Sequence, residues 1–245
     1  MQICLAQTNP VPGNIQRNID QHLQLIKLAA SRKARMIVFP ELSLTGYEPA
    51  LAGELATDQH DSRLAPFQQI SDREEMIIGV GLPVKTAAGI AIGMVIFQAF
   101  EPPLLYTKKW IHADEEPYFI GASHFTGLLG GEARIALGIC YELSVPEHAA
   151  QAFQAGAKIY LTSVSKLIRG IDKTYTRLAE IARTYSLTVL MANQTGLAEG
   201  ERCAGRTAVW NDQGELIAQL DEVRKGILLI DTDTQEVIMQ YLDQA

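Results

Sequence analysis

Arg134-Ile-Ala-Leu-Gly-Ile-Cys140-Tyr-Glu142-Leu-Ser144-Val-Pro-Glu147 drives an apolar strand into a cysteine and then opens a helix. Strand, sharp turn and helix in that order are the unit from which α/β layers are built. Ser144 and Glu147 have the spacing of a capping box, Pro146 suits a first helical turn, and Gly156 supplies a stop after an alanine-rich stretch. The run therefore predicts a strand over Arg134 to Cys140, a helix through Ala155, and a cysteine held on the turn and not packed inside. A thiol there meets free backbone N–H groups, which pull its pKa below the usual value of about 8.5 and can hold the oxyanion of an acyl-transfer intermediate. The same residues also suit a buried core cysteine.

Outward from this run, strands and helices take turns. Gln2 to Gln7 reads as a strand, and Asn14 caps a helix whose Ile15, Ile19, His22, Leu23, Ile26 and Ala30 recur at helical spacing. Met36 to Phe39 is the next strand. A helical stretch near Leu64 to Ile70 precedes two β runs, Met76 to Val84 and Ile90 to Phe100, joined by a hairpin-like link. After the helix through Ala155 come a strand at Lys158 to Thr162, a helix capped by Asp172 that carries Tyr175, Leu178, Ile181, Ala182 and Tyr185, and a strand at Leu187 to Ala192. Gly205 to Trp210, Leu216 to Leu220 and Gly226 to Ile230 make the end β-rich. Interleaved helices and strands with added hairpins predict mixed sheets in a layered α/β fold.

The 245 residues are expected to form a single domain, 1–245, and 47% hydrophobic content is ample for its core. A net charge of −7 with no basic run argues against nucleic acid or an anionic membrane as the main partner and favours a small-molecule substrate. Cys4, Cys140 and Cys203 are an odd set without close pairs, which suggests neither a disulfide framework nor a zinc knuckle. The first residues lack the pattern of a signal peptide and no later run approaches membrane-spanning length, so a cytoplasmic protein is expected.

Two further segments place charges at strand ends. Met36-Ile-Val-Phe-Pro40-Glu41 delivers a carboxylate directly after an apolar strand, and Tyr106-Thr-Lys108-Lys109-Trp110 is followed by Glu115 and Glu116. Taken singly, each also reads as a solvated strand end or loop. His148, eight residues past Cys140, reads as a surface histidine of the following helix. Gly79-Val-Gly81 lies between β residues and lacks the rest of a dinucleotide fingerprint. Cys203 reads as an incidental thiol in a loop, and Lys166, Arg169 and Lys173 as a solvated loop.

Together the segments resemble the carbon–nitrogen hydrolase (nitrilase-like) superfamily, whose signature is Glu, Lys and Cys in that order: Glu41 in Phe-Pro-Glu, Lys108 in Tyr-x-Lys, Cys140 in Ile-Cys-Tyr-Glu. The likeness extends to Ala192-Asn-Gln-Thr-Gly196 and Gly205-Arg-Thr-Ala, so it spans almost the whole chain. The resemblance implies a four-layer α-β-β-α sandwich that pairs into a homodimer or larger oligomer. It also implies a cofactor-free and metal-free thiol hydrolase that cleaves the C–N bond of a small amide through a Cys140 thioester. Glu41 would serve as base, Lys108 with the Tyr141 N–H as oxyanion partner, and Glu142 would join Tyr141 in the substrate-binding set. Alignment favours Glu115 over Glu116 as a second glutamate. Nitrilases, N-carbamoyl-amide hydrolases and acyltransferases share the triad, and a silent scaffold would keep only the fold. Trp110 stands where the family often has histidine, and Ile120-Gly-Ala replaces its usual Pro-Gly ending, two departures expected to fall near the substrate entrance.

Overall fold

The computed structural model describes residues 1–121 and 128–242. Two mixed sheets lie face to face between helices. The first has the strand order β14-β13-β1-β2-β3-β4-β5 and the second β12-β11-β8-β7-β6. Their strands are β1 (Gln2–Gln7), β2 (Met36–Val38), β3 (Ile77–Thr86), β4 (Gly89–Phe97), β5 (Leu104–Thr107), β6 (Ile135–Ile139), β7 (Ile159–Ser163), β8 (Thr188–Ala192), β11 (Ala208–Trp210), β12 (Leu216–Gln219), β13 (Gly226–Asp231) and β14 (Val237–Tyr241). A small ribbon, β9 (Leu197–Ala198) with β10 (Glu201–Arg202), stands apart. Strands β1, β2 and β3 run parallel, as do β6, β7 and β8, while the flanking strands are antiparallel.

The layering follows from the two-residue period of the strands. Ile3, Leu5, Met36 and Val38 join one buried cluster with Ile135, Leu137 and Ile139 of the second sheet. Their neighbours Cys4, Ala6, Ile37 and Phe39 face the other way, onto Ile19, Leu25, Ile26 and Ala29 of α1 (Ile15–Ser31) and Phe67 of α3 (Ala65–Glu74). Helices α4 (Pro146–Gln154) and α5 (Ile171–Tyr185) cover the second sheet, with Leu178, Ile181 and Ala182 of α5 buried. A short α2 (Ala52–Leu55) lies in the segment after β2. The result is the expected α-β-β-α sandwich.

Most expected elements are present to within a few residues, and Asn14 caps α1 by accepting from the Arg17 N–H at 3.1 Å. Strands β5 and β14 went unread: β5 is short and next to charged residues, and β14 is half exposed with little alternation. Two caps differ from expectation. Helix α4 begins at Pro146 behind Val145 with no side-chain cap, and α5 begins at Ile171, leaving Asp172 in its first turn, paired with Arg206 at 3.2 Å. The reciprocal glutamate sits one turn earlier than read: Glu142 accepts from the Ile139 N–H at 2.8 Å. Gly156 does end α4, in the left-handed region.

Candidate active site

Each signature residue leaves the end of a strand on the same side of the sandwich. Glu41 follows β2, Lys108 follows β5, and Cys140 follows β6. The Glu41 loop is tied down from both sheets. Ser163, at the end of β7, donates to the Phe39 carbonyl at 2.8 Å, and the Leu44 N–H donates to Gly81 O at 3.0 Å. Gly81 is a required glycine: a Cβ there would lie 2.6 Å from both Pro40 O and Leu42 N. The Gly79-Val-Gly81 pair thus serves strand packing in β3.

His22 of α1 supports the same loop from below. It stacks on Phe39 with ring centroids 4.0 Å apart, and its Nε2 lies 2.9 Å from Ser43 Oγ. Its Nδ1, 2.6 Å from the Asn18 carbonyl, must carry the proton, so Nε2 accepts from Ser43. Burial holds this imidazole neutral, with its pKa lowered to about 3 despite the opposing backbone hydrogen bond to Asn18.

Cys140 opens a single 3-10 turn, Cys140–Ser144, with a φ of +43°. A non-glycine residue in that region is strained and persists only where its surroundings fix it. The turn is as sharp as expected, but the thiol is also buried, with 9% of the residue exposed. Burial and the Glu41 carboxylate push its pKa up to about 11, outweighing the lowering effect of Lys166 and Lys108. The expected depression of the resting thiol is therefore reversed.

Lys108 is fully buried between two carboxylates. Its Nζ donates to Glu41 Oε1 at 2.8 Å and to Glu115 Oε1 at 2.6 Å. Glu115 also accepts from the Tyr47 hydroxyl at 2.8 Å and from the His112 N–H at 2.9 Å, whereas Glu116 is exposed. Tyr47 closes the segment that carries Glu41, yet its contact could not be read from spacing. Burial raises the pKa of Glu41, with Lys108 opposing and Glu115 reinforcing the rise. Burial works against the ammonium of Lys108, but Glu41, Cys140 and Glu115 outweigh it and hold the lysine charged. Glu41 Oε2 is buried with no hydrogen-bond partner. It is the oxygen left for the Cys140 thiol, whose interaction with the carboxylate lowers the Glu41 pKa.

Two readings need correction. Glu142 is fully buried and both its oxygens are engaged within the protein and not held out for a substrate: its Oε1 accepts from the Lys109 N–H at 2.7 Å, and its Oε2 from the Tyr106 hydroxyl at 2.6 Å and the Ile139 N–H at 2.8 Å. His148 is not a surface residue. It is buried, with Nε2 3.0 Å from Tyr106 Oη and Nδ1 2.7 Å from Tyr160 Oη. Its neighbour Val145 is the helix cap, so His148 lies in the first turn of α4 and points inward.

Tyr141 begins the second position of the turn, where N–H groups are not used within the turn itself. Trp110 packs edge-on to His148 at 5.4 Å, with Lys109 Nζ 4.4 Å from the center of its ring. Ile120 lies against Gly89, and Ala122 falls outside the described residues. Cys203 is buried and bridged to Leu167, Arg169 pairs with Glu201 at 2.9 Å, and Lys173 belongs to α5. Among the described residues no group of three or more His, Cys, Asp and Glu side chains could hold a metal ion.

The family model described as carbon-nitrogen hydrolase matches residues 2–239. The chain belongs to the carbon–nitrogen hydrolase family. Among relatives of this hydrolase is an (R)-stereoselective amidase from Pseudomonas sp., 24% identical over 94% of this chain and 85% of that protein. Among solved structures it is similar to NitN amidase from Nesterenkonia sp. AN1, at a TM-score of 0.86 and 22% identity over 96% of this chain and 94% of that one. A variant of the Nesterenkonia amidase carrying the acetamide moiety of fluoroacetamide on its active-site cysteine superposes with a TM-score of 0.86, at 22% identity over 94% of this chain and 90% of that one. At these identities the structural likeness establishes the fold.

Proposed function

We propose that this carbon–nitrogen hydrolase is an amidase that cleaves a small amide through a thioester on Cys140. The observation that carries the reading is the Glu41 carboxylate, bonded to Lys108 through one oxygen and left with a buried, unpartnered oxygen beside the thiol. An amide is a weak electrophile with a poor leaving group, so its hydrolysis needs a strong nucleophile, a proton shuttle and a positive partner for the oxyanion. Glu41 takes the thiol proton as Cys140 Sγ attacks the carbonyl carbon. Lys108 and the Tyr141 N–H stabilise the oxyanion. Glu41 then protonates the departing nitrogen, the C–N bond breaks, and ammonia or an amine leaves the acyl group on sulfur. In the second half Glu41 removes a proton from water, which attacks the thioester and returns the thiol and a carboxylic acid. A base whose pKa is raised toward neutrality suits this double role. Glu115, bonded to both Lys108 and Tyr47, holds the lysine in place and keeps it charged.

The same reading treats residues 1–245 as one catalytic unit. Three buried, unpaired cysteines suit a reducing compartment such as the cytoplasm. Among the described residues no helix is long and apolar enough to cross a membrane. Half-exposed Phe153 of α4, against Tyr185 of α5 at 5.4 Å, offers an apolar patch for self-association. Ammonia release from short amides, dicarboxylic acid monoamides, N-carbamoyl amino acids and nitriles tests the function. Release by the wild type and its loss, on the order of 10⁴-fold or more, in Cys140→Ala supports the thioester route. Turnover near the wild-type rate in that variant refutes it.

A further inference from the structure

Lys108 and Cys140 leave two edge strands, β5 of the first sheet and β6 of the second, which are not hydrogen-bonded to each other. Their separation is nonetheless decisive for a cation that must meet charge developing at sulfur and carbonyl. One fully buried carboxylate spans the gap: Glu142 accepts from the Lys109 N–H beside β5 and from the Ile139 N–H at the end of β6, at 2.7 and 2.8 Å. We propose that Glu142 is a positioning residue that clasps the Lys108 segment to the Cys140 turn, held in that role by a directed chain of hydrogen bonds from Tyr160 through His148 and Tyr106. The inference rests on Lys108 and Cys140 acting together as described above.

The direction of the chain follows from what each group can donate. Tyr106 gives its only hydroxyl hydrogen to Glu142, so the His148 Nε2–H donates to Tyr106 Oη. Nδ1 of the neutral ring is then bare and accepts from the Tyr160 hydroxyl. Burial favours that neutral ring, against the pull of the Glu142 charge. Every donor in the chain thus points toward the carboxylate, and only an ionised side chain with two free oxygens can satisfy the Lys109, Ile139 and Tyr106 donors together. Glutamine cannot: whichever way its amide turns, its NH₂ faces one of the two backbone N–H groups.

Glu142→Gln tests the clasp through amide turnover and through the pH dependence of Cys140 alkylation by iodoacetamide. With folding verified by circular dichroism, kcat is expected to fall about 10- to 100-fold with KM little changed, the scale for a displacement near 1 Å. The alkylation curve is expected to move to higher pH as the thiolate loses its lysine. Removing a negative charge acts in the opposite direction, so an upward shift marks displacement. A folded variant with kcat within twofold of wild type and an unshifted or lowered curve overturns the proposal. Should Glu142→Gln not fold, Tyr106→Phe, which keeps both backbone ties, is expected to lower kcat severalfold with a smaller upward shift, and no change in either overturns the proposal. Alkylation needs no amide substrate, so inactivity of the wild type on every amide refutes the amidase reading alone.

Discussion

Two buried carboxylate clusters lie on either side of the Cys140 turn, and they are finished differently. Around Glu142 both oxygens are occupied, by the Lys109 and Ile139 N–H groups and the Tyr106 hydroxyl. Around Lys108 two carboxylates share one ammonium, and Glu41 keeps an oxygen with no partner. An unsatisfied buried acceptor costs about 1–3 kcal/mol, more when charged. The completed cluster fixes geometry; the incomplete one stores an unmet demand for a proton, which the neighbouring thiol can answer only by becoming a nucleophile.

The contrast breaks most completely if its cation is removed. Lys108→Met leaves Glu41 and Glu115 buried without a counter-charge, so a loss of about 3–5 kcal/mol in urea unfolding is expected, with amide turnover lower by about 10²–10³-fold. Gly81→Ala attacks position and not charge. Its Cβ displaces the backbone from Pro40 to Leu42, for an expected cost of about 1–3 kcal/mol and a fall in kcat, while Glu142 and its donors stay untouched. The pH profile sharpens the comparison further. Glu41 must be ionised to take the thiol proton and its pKa is raised by burial, so kcat/KM should decline with falling pH through a limb above the ordinary carboxylate value. A limb at or below that value would remove Glu41 as base.

At neutral pH the smallest effect belongs to His22, whose titration bears on stability only in acid. Its pKa in the folded state, about 3, is below the unfolded value near 6.5, so the unfolded chain binds an extra proton between those values. Stability from this group is fully present above pH 6.5 and declines as pH falls toward 3. His22→Asn should flatten the decline of the urea midpoint across that window, by at most about 1.4 kcal/mol per pH unit. An unchanged slope would show that burial does not hold this ring neutral in the folded protein.

Strand period and the Glu, Lys and Cys contexts made the layers and the three central residues legible in sequence, because both depend on local pattern. What sequence concealed depends on contacts between distant segments. Tyr47 reaches Glu115, and His148 reaches Tyr106 and Tyr160 across the interior. A histidine one turn into a polar-looking helix shows nothing of the direction in which it points. The resemblance groups Glu142 with Tyr141 at the substrate, yet adjacent residues on a tight turn face different ways. Cys140 itself was read for the donors of its turn, while burial and a neighbouring carboxylate set its proton affinity.

The pairing of Gln2–Gln7 with Gly226–Asp231 has a consequence in time. On the ribosome β1 emerges long before its antiparallel partner β13, so β1 stays an open edge of the first sheet until β13 and β14 follow. Contacts of such sequence separation form slowly. The Glu41 loop leaves β2, which lies directly against β1, so the strand that carries the base leans on a neighbour whose other edge is covered only by a segment more than two hundred residues later.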